Sequence, residues 1–161
     1  MPFAIRRADS ADAPTLADLQ WRWRVTERSD EPATSSANEF RDSLATWWGA
    51  HPGHRAWLAE DDDGAAIGVA WLAVADRVPA PARAVRRHGW VQSVYVVPER
   101  RNDGVGAVLM AAIRAEAIAL DLDYVTVHPS TRSFAFYRRA GFADAPGLLE
   151  MRFEDDPATR L

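Results

Sequence analysis

Two glycines stand at the entrance of the most helix-prone stretch of this chain. In RRNDGVGAVLMAAIRAEA (residues 100–117), Gly104 and Gly106 flank one valine and precede a long alanine-rich run. Glycine costs a helix roughly 1 kcal/mol relative to alanine. The first turn of a helix, however, carries unpartnered N–H groups and a partial positive charge, and glycine lets an anion approach that backbone. With Arg100 and Arg101 beside it, the segment predicts a diphosphate site; tight packing at a helix start is the alternative.

Two familiar anion-binding motifs do not fit this segment. A dinucleotide-binding fingerprint requires a third glycine where this chain has Leu109. A P-loop requires Gly-Lys-Ser or Gly-Lys-Thr, whereas the sequence continues as GAVLM. The glycines therefore indicate a different kind of phosphate-binding helix.

The elements that must position this segment can be inferred from periodicity. Apolar residues three or four apart indicate helices, and β-branched or aromatic runs bounded by turn formers indicate strands. Strands are predicted at 3–8, 54–60, 65–76, 90–101, 124–130 and 147–154, and helices at 9–28, 36–50, 104–122 and 131–142. Ser36 followed by Glu39 predicts a capping box. Three consecutive strands favour an antiparallel meander, and the later strand–helix–strand crossover favours one parallel pair.

Residues 91–117, VQSVYVVPERRNDGVGAVLMAAIRAEA, resemble the acetyl-CoA-binding core of the GNAT superfamily of N-acetyltransferases. That family's Arg/Gln-x-x-Gly-x-Gly/Ala signature is matched by residues 101–106. Downstream, SFAFYRRAGF (133–142) is similar to the family's Ala-x-x-x-Tyr-x-x-x-Gly-Phe segment, with Ser133 at the alanine position. The chain departs from the family at Asp103, where a basic residue is common, and at Ser130, where many members have asparagine.

The resemblance implies a fold and a domain organisation. The fold class is α/β, with a GNAT-like mixed, mostly antiparallel sheet whose central strands splay apart between flanking helices. A single domain is expected over residues 1–154, and residues 155–161 are expected to form a flexible tail.

The resemblance also implies acetyl-CoA as cosubstrate and a set of residues that contact it. These candidates are Val94, Tyr95, Val96, Arg101, Asn102, Asp103, Gly104, Val105, Gly106, Ala107, Ser130 and Phe136. The amide of Val96 is expected to bond the pantetheine arm or the acetyl oxygen. Ser130 has a competing interpretation as a simple helix N-cap.

The resemblance also implies a catalytic role for Tyr137, as the acid that protonates the departing thiolate. The alternative is a core tyrosine beside Phe134 and Phe136 on an amphipathic helix. The general base stays open, because the strand before the glycines carries no carboxylate. The weaker candidates for that role are Gln92 and Ser93 through a held water, His88, His128 and Glu99.

The acceptor, an amine, is expected between the first two helices and the splayed strands. Aromatic and acidic residues there could bind a cation, although core packing and a solvated acidic loop are the alternatives. They are Trp21, Trp23, Trp47 and Trp48, together with Glu27, Asp30 and Glu31. The arginine-bearing loop at 77–89 is a second candidate, either to gate the site or to grip the coenzyme's 3′-phosphate.

Bulk composition narrows the classes of function. The chain has 161 residues, no cysteine and a formal net charge of −4, which excludes disulfides and thiolate chemistry and argues against nucleic-acid binding. No segment has the apolar length of a signal peptide or a membrane span. We therefore expect a cytoplasmic protein without metal, nucleic-acid or membrane partners, for which a homodimer is plausible.

Three functions remain in competition at this point. The main one is direct acetyl transfer from acetyl-CoA to the primary amine of a small molecule or peptide. The second is a catalytically silent CoA-binding sensor or interaction domain on the same fold, which Asp103 and the missing strand carboxylate keep open. The third is an acyltransferase for a longer acyl chain or an alcohol.

Overall fold

A computed structural model of the protein describes residues 2–27 and 33–150. Its five strands are β1 (Phe3–Arg7), β2 (His54–Asp61), β3 (Ala66–Asp76), β4 (Arg87–Val96) and β5 (Val125–Val127). Its four helices are α1 (Ala13–Glu27), α2 (Ala37–Ala50), α3 (Val105–Ala119) and α4 (Phe134–Arg139). Short 3-10 turns occupy Ser10–Asp12, Pro98–Arg100 and Thr131–Ser133. No helix within these described residues is both long enough and apolar enough to cross a membrane.

The strands form one sheet in the order β1-β2-β3-β4-β5. The first four are antiparallel, and β5 pairs in parallel with β4. The expected mixed, mostly antiparallel α/β sheet is confirmed. The parallel pair is short, because β5 joins β4 only along Gly89–Val91, and β4 continues to Val96 paired with β3 alone.

The end of β4 that extends beyond β5 contains a bulge in its pairing with β3. Trp71 lies opposite Gln92 and Val69 lies opposite Tyr95, so Ala70 faces two residues of β4. A bulge of this kind bends its strand and re-aims the side chains. The amide of Val97 donates to the carbonyl of Ile67 at 3.0 Å. Because successive amides of a strand point to opposite edges, the amide of Val96 faces the gap that β5 leaves.

The core lies on both faces of this sheet. On one face, α3 buries Val105, Leu109 and Ile113 at helical spacing. On the other, α1 contributes Leu16 and Leu19, and α2 reaches β3 through Trp48 and Trp71, whose rings lie 5.2 Å apart. The capping box predicted at Ser36 and Glu39 is present and starts α2 at Ala37.

Several predicted elements begin or end elsewhere. The strand predicted within 90–101 spans Arg87–Val96, and a 3-10 turn follows at Pro98–Arg100. The helix predicted at 131–142 is limited to Phe134–Arg139. The first helix starts at Ala13 instead of residue 9, because Asp9 and Asp12 cap each other across a 3-10 turn. The strand predicted from residue 124 to 130 is reduced to Val125–Val127, since the chain then turns at Pro129 into the Thr131–Ser133 turn.

The last predicted strand, 147–154, is wrong over residues 147–150. That segment is irregular, with Leu148 55% and Leu149 95% exposed. Its apolar residues suggested a strand, but pairing needs a sheet edge in register, and in the described part of the chain β5 pairs only with β4. Residues 151–154 lie outside the described residues.

Candidate active site

The start of α3 is built to leave backbone donors open. Gly104 is the N-cap of α3 and has a φ of 86°, a conformation that L side chains rarely adopt. The amides of residues 102–106 make no hydrogen bond with any described residue. Asn102 also has a positive φ, of 68°. A run of free amides at a helix N-terminus is a ready anion site.

Gly106 has a different reason for being glycine. A Cβ at this position would lie 3.0 Å from Cε2 of Phe136 and 3.9 Å from Cγ2 of Val96. The first turn of α3 therefore packs closely against α4. Gly104 meets the conformational requirement expected from the sequence, whereas Gly106 also fits the packing alternative.

A cavity of about 900 Å³ opens beside these amides. The cavity is bounded by the end of β4, the first turns of α3, the end of α1 and the segment from residue 130 to 140. Its lining residues are Trp23, Glu27, Val94, Tyr95, Val96, Arg100, Arg101, Asn102, Gly104, Val105, Gly106, Ala107, Met110, Ala111, Arg114, Ser130, Arg132, Ser133, Phe136, Arg139 and Ala140. Five arginines and one acid give this lining an excess of positive charge, which suits an anionic ligand.

Most of the sequence-predicted cofactor residues meet at this cavity, but two predicted site residues do not line it. Asp103 turns its carboxylate to Arg100, whose Nε donates to Oδ2 at 3.0 Å. Arg100 is only 7% exposed, so this pair keeps a buried guanidinium neutralised and directs the acid away from the anion site. The cofactor role of Asp103 stays a prediction.

Tyr137 is the second residue outside the lining. It is 8% exposed, and its ring lies 4.9 Å from that of Phe136 and 5.7 Å from that of Phe142. Burial raises the pKa of Tyr137 to about 12. The phenol is therefore protonated at neutral pH, and its surroundings match the core-tyrosine alternative as well as an acid role.

The family of the protein follows from comparison with known sequences. The sequence model of the acetyltransferase (GNAT) family matches residues 14–142, which include the α3 start and the whole cavity lining. The chain belongs to the GNAT acetyltransferase family. No curated protein sequence gives a significant match.

Solved structures of low sequence identity share the GNAT fold. A predicted acetyltransferase with acetyl-CoA from Clostridium acetobutylicum has a TM-score of 0.75 and 22% identity, covering 94% of this chain and 96% of that one. Glucosamine-6-phosphate N-acetyltransferase from Arabidopsis thaliana has a TM-score of 0.71 and 15% identity, covering 97% and 100%. An aminoglycoside acetyltransferase from an uncultured soil metagenomic sample has a TM-score of 0.73 and 12% identity, covering 94% and 95%.

Within this GNAT domain, Ser130 keeps its hydroxyl at the cavity. It stands at the N-cap of the Thr131–Ser133 turn, yet its side chain makes no capping bond to the backbone. Its Oγ lies 3.0 Å from that of Ser133, which itself donates to the Ser130 carbonyl. The simple N-cap interpretation of the Ser130 side chain is therefore wrong.

Four of the five weaker candidates for a general base make contacts outside the cavity, and the fifth, Gln92, does not line it. Ser93 accepts a hydrogen bond from Nε2 of Gln20 at 2.8 Å, and Glu99 pairs with Arg22 at 2.7 Å. His88 stacks on Tyr124 and His128 lies against Trp90, both at 5.5 Å. Neither histidine lines the cavity.

The acceptor candidates are divided by the fold. Trp23 and Glu27 line the cavity of this GNAT domain, whereas Trp47 and Trp48 pack with Trp71 on the sheet. Trp21 contacts Phe40 at 6.0 Å, outside the cavity. Asp30 and Glu31 lie outside the described residues.

The loop between β3 and β4 does not reach the cavity. Its residues are held against the turn after α3, where Asp123 accepts hydrogen bonds from Arg77, at 2.6 Å, and from Arg83. Arg86 approaches the same carboxylate at 3.4 Å. No residue from 77 to 89 lines the cavity, so this loop neither gates it nor contributes a phosphate contact in this conformation.

Sequence analysis missed several cavity residues. Met110, Ala111 and Arg114 follow the predicted Ala107 at helical spacing along one face of α3. Continuing the glycine motif along that face would have identified Arg114. Arg132 and Arg139 carry no such signal, because their approach depends on how α4 packs. No group of three or more His, Asp or Glu side chains that could hold a metal ion occurs within residues 2–27 and 33–150.

Proposed function

We propose that this GNAT domain transfers the acetyl group of acetyl-CoA directly to the primary amine of a small molecule or peptide. The observation that carries the proposal is the run of unbonded amides at residues 102–106, which opens on a cavity rich in arginine. A diphosphate satisfies such donors and the helix dipole together. Family membership supports acetyl transfer as the chemistry.

The diphosphate of the coenzyme binds at residues 101–107. Its adenosine 3′-phosphate pairs with Arg114 or Arg139, which line the same cavity. The pantetheine arm enters the gap where β4 continues past β5. The acetyl oxygen then accepts a hydrogen bond from the amide of Val96. A fixed donor aimed at the developing oxyanion contributes about 3–4 kcal/mol to catalysis.

The reaction is a single displacement at the thioester carbon. The neutral amine attacks, a C–N bond forms and the C–S bond breaks. As the bond to sulfur breaks, Tyr137 gives its proton to the thiolate. The acylated nitrogen releases one proton to solvent, and a proton from solvent restores the phenol. Since an alkylamine with a pKa near 10.4 is mostly protonated at pH 7, the proton lost before attack passes to solvent or to a base that we leave unassigned.

A catalytically silent CoA-binding domain is the second candidate. It is favoured by the pairing of Glu99 with Arg22 and by the absence of His88 and His128 from the cavity lining, which leave no evident base among these candidates. The two functions agree on coenzyme binding and differ in turnover.

One experiment separates these candidates. Release of the CoA thiol is followed with acetyl-CoA and a panel of primary amines, and the product masses are determined. Acetylated amine formed in step with free CoA supports the transferase. Saturable acetyl-CoA binding without acetyl transfer to any amine supports the silent domain and contradicts the transferase.

A further inference from the structure

Glu27 is the single acid among the described residues that line the cavity. It is the last residue of α1, and its side chain is 17% exposed. Arg101 donates to Oε1 at 2.7 Å, and Arg132 donates to Oε2 at 2.8 Å. These two bonds, chiefly that from Arg101, hold the pKa of Glu27 below its usual value. The carboxylate is therefore ionised and each oxygen faces one cation.

The two arginines are held very differently. Arg101 also donates from Nε to the carbonyl of Val96 at 3.1 Å, and its guanidinium lies 5.9 Å from the ring of Tyr95. Arg132 is 79% exposed, stands on the three-residue Thr131–Ser133 turn and contacts Glu27 through one nitrogen. A solvated ion pair of this kind contributes little and exchanges readily. A largely buried carboxylate, in contrast, needs a cation beside it.

A tryptophan also lines the cavity, on the face of α1 that carries Glu27. Trp23 precedes Glu27 by four residues on α1, so both side chains lie on the same face of the helix, and both line the cavity. A carboxylate beside an indole is a suitable receptor for an ammonium or guanidinium group, through charge pairing and cation–π attraction. The guanidinium of Arg132 is itself a group of that chemical class.

We propose that Oε2 of Glu27 binds a cationic group of the acceptor, and that Arg132 occupies this position until the acceptor displaces it. The proposal rests on the proposed acetyl transfer and deepens it. The reacting nitrogen must be neutral when it attacks the thioester. The group bound at Glu27 is therefore a second cation on the same molecule, and the acceptor class is an amine that carries an additional ammonium or guanidinium.

Two substitutions give opposite results under this proposal. Glu27→Gln removes the receptor and weakens binding of the dicationic acceptor. Arg132→Gln removes the internal competitor and strengthens it. A purely structural role for the cluster would instead make both substitutions act in the same direction, because each breaks the same ion pair.

The test uses pairs of amines that differ by one terminal cation: butylamine with 1,4-diaminobutane, and norleucine amide with lysine amide. Each is titrated calorimetrically into the 161-residue protein saturated with CoA. Acetyl transfer to the same amines is measured in parallel, with acetyl-CoA in place of CoA. We expect the unmodified protein to bind the dicationic member of at least one pair at least tenfold more tightly. Glu27→Gln should bring that ratio close to one, and Arg132→Gln should raise it severalfold.

Matched controls test for general damage. Glu99→Gln removes another carboxylate paired with an arginine, Arg22 of α1, at the surface. Arg138→Gln removes another exposed arginine, which pairs with Asp144 at 3.0 Å. Neither residue lines the cavity. Both variants should keep the ratio of the unmodified protein, and thermal unfolding identifies any variant that has lost its fold.

Several outcomes overturn the inference. Equal or absent binding of both members of every pair does so, whether or not acetyl transfer is seen. A weaker binding of the dication in Arg132→Gln also does so. Failure of the proposed function is distinguishable, because it appears as absent acetyl-CoA binding before any amine is added, or as absent acetyl transfer while the amine titrations still follow the Glu27 and Arg132 substitutions.

Discussion

The fold shifts the pKa of Tyr137 in the direction that makes the acid role implied by the sequence harder. A thiol has a pKa near 8.5, and burial moves the pKa of this phenol away from that value, to about 12. Proton transfer to the leaving thiolate is then favourable only if it accompanies breakage of the C–S bond. The motif suggested an acid role for this tyrosine. It did not indicate the burial of the ring, which comes from packing against Phe136 and Phe142.

Substitution of Tyr137 by phenylalanine tests the acid role. Because the ring and its packing are kept while the proton donor is lost, kcat should fall by on the order of 100-fold. The Kd for acetyl-CoA, measured by calorimetry, should stay unchanged. Tyr124→Phe is the matched control, since Tyr124 is exposed and does not line the cavity beside α3. An unaltered kcat in Tyr137→Phe would leave Tyr137 as a core residue only.

Asp103 marks the limit of sequence reasoning at the residue scale. A carboxylate in a loop that binds a diphosphate is electrostatically unfavourable. From the sequence alone, the side chain of Asp103 could either point away from the diphosphate or cap the helix. Arg100 decides between them, because its guanidinium is buried next to Asp61 and Asp103 and needs their charge. Burial of Arg100 is a tertiary property that the order of residues does not reveal.

At the scale of elements, α3 and β4 form one unit. The splay begins where β5 stops at Val127, and the bulge near Ser93 re-aims the remaining strand toward the cavity. The start of α3 was predictable, because the glycines, the preceding turn and the apolar spacing are local signals. The bulge was not, because it depends on the register between β3 and β4. The failed strand at 147–150 has the same cause, since strand pairing is non-local.

Replacing Gly106 by valine tests the element as a coenzyme-binding unit. The side chain would crowd Phe136 and Val96 at the entrance of the cavity, so the Kd for acetyl-CoA should rise at least tenfold. The free energy of unfolding, from chemical denaturation, should change by only about 1–3 kcal/mol. Gly49→Val is the control, because Gly49 is also helical but has no atom within 4 Å of a Cβ. Unchanged affinity in Gly106→Val would contradict the phosphate role.

The whole molecule places its aromatic residues in two separate environments. Trp23 stands at the cavity, while Trp47, Trp48 and Trp71 form a cluster with His51 and His54 between α2 and the sheet. Sequence analysis offered the tryptophans of both helices as acceptor candidates, with core packing as the alternative. The sequence alone could not distinguish Trp23 from the tryptophans of α2, because the packing of α2 on Trp71 decides which rings face the sheet.

The histidine cluster predicts how stability depends on pH. Burial, followed by the charge of His51, holds the pKa of His54 below its usual value of 6.5. The unfolded chain therefore binds the proton more tightly, and stability that is present above pH 6.5 is lost as the pH falls through the lowered value. Asp12, Glu27 and Asp123 also have lowered pKa values. The stability that these carboxylates contribute is therefore lost only at pH values below the ordinary carboxyl pKa, near 4.

Chemical denaturation at pH values between 7.5 and 5 should therefore show a declining free energy of unfolding. In His54→Gln, this decline should be smaller than in the unmodified protein. His128→Gln, which changes an exposed histidine outside the cluster, should keep the original slope. Identical slopes in the unmodified protein and His54→Gln would show that His54 does not contribute to the pH dependence.

The most direct measurement is a calorimetric titration of the purified, folded protein with acetyl-CoA. If the open amides at the start of α3 hold the coenzyme's diphosphate, one acetyl-CoA should bind per chain with saturation. The affinity should fall as ionic strength rises, since charge pairing with the cavity arginines contributes. A titration without saturation, at protein concentrations where the fold is verified, would contradict the assignment of this site and the acetyl transfer built on it.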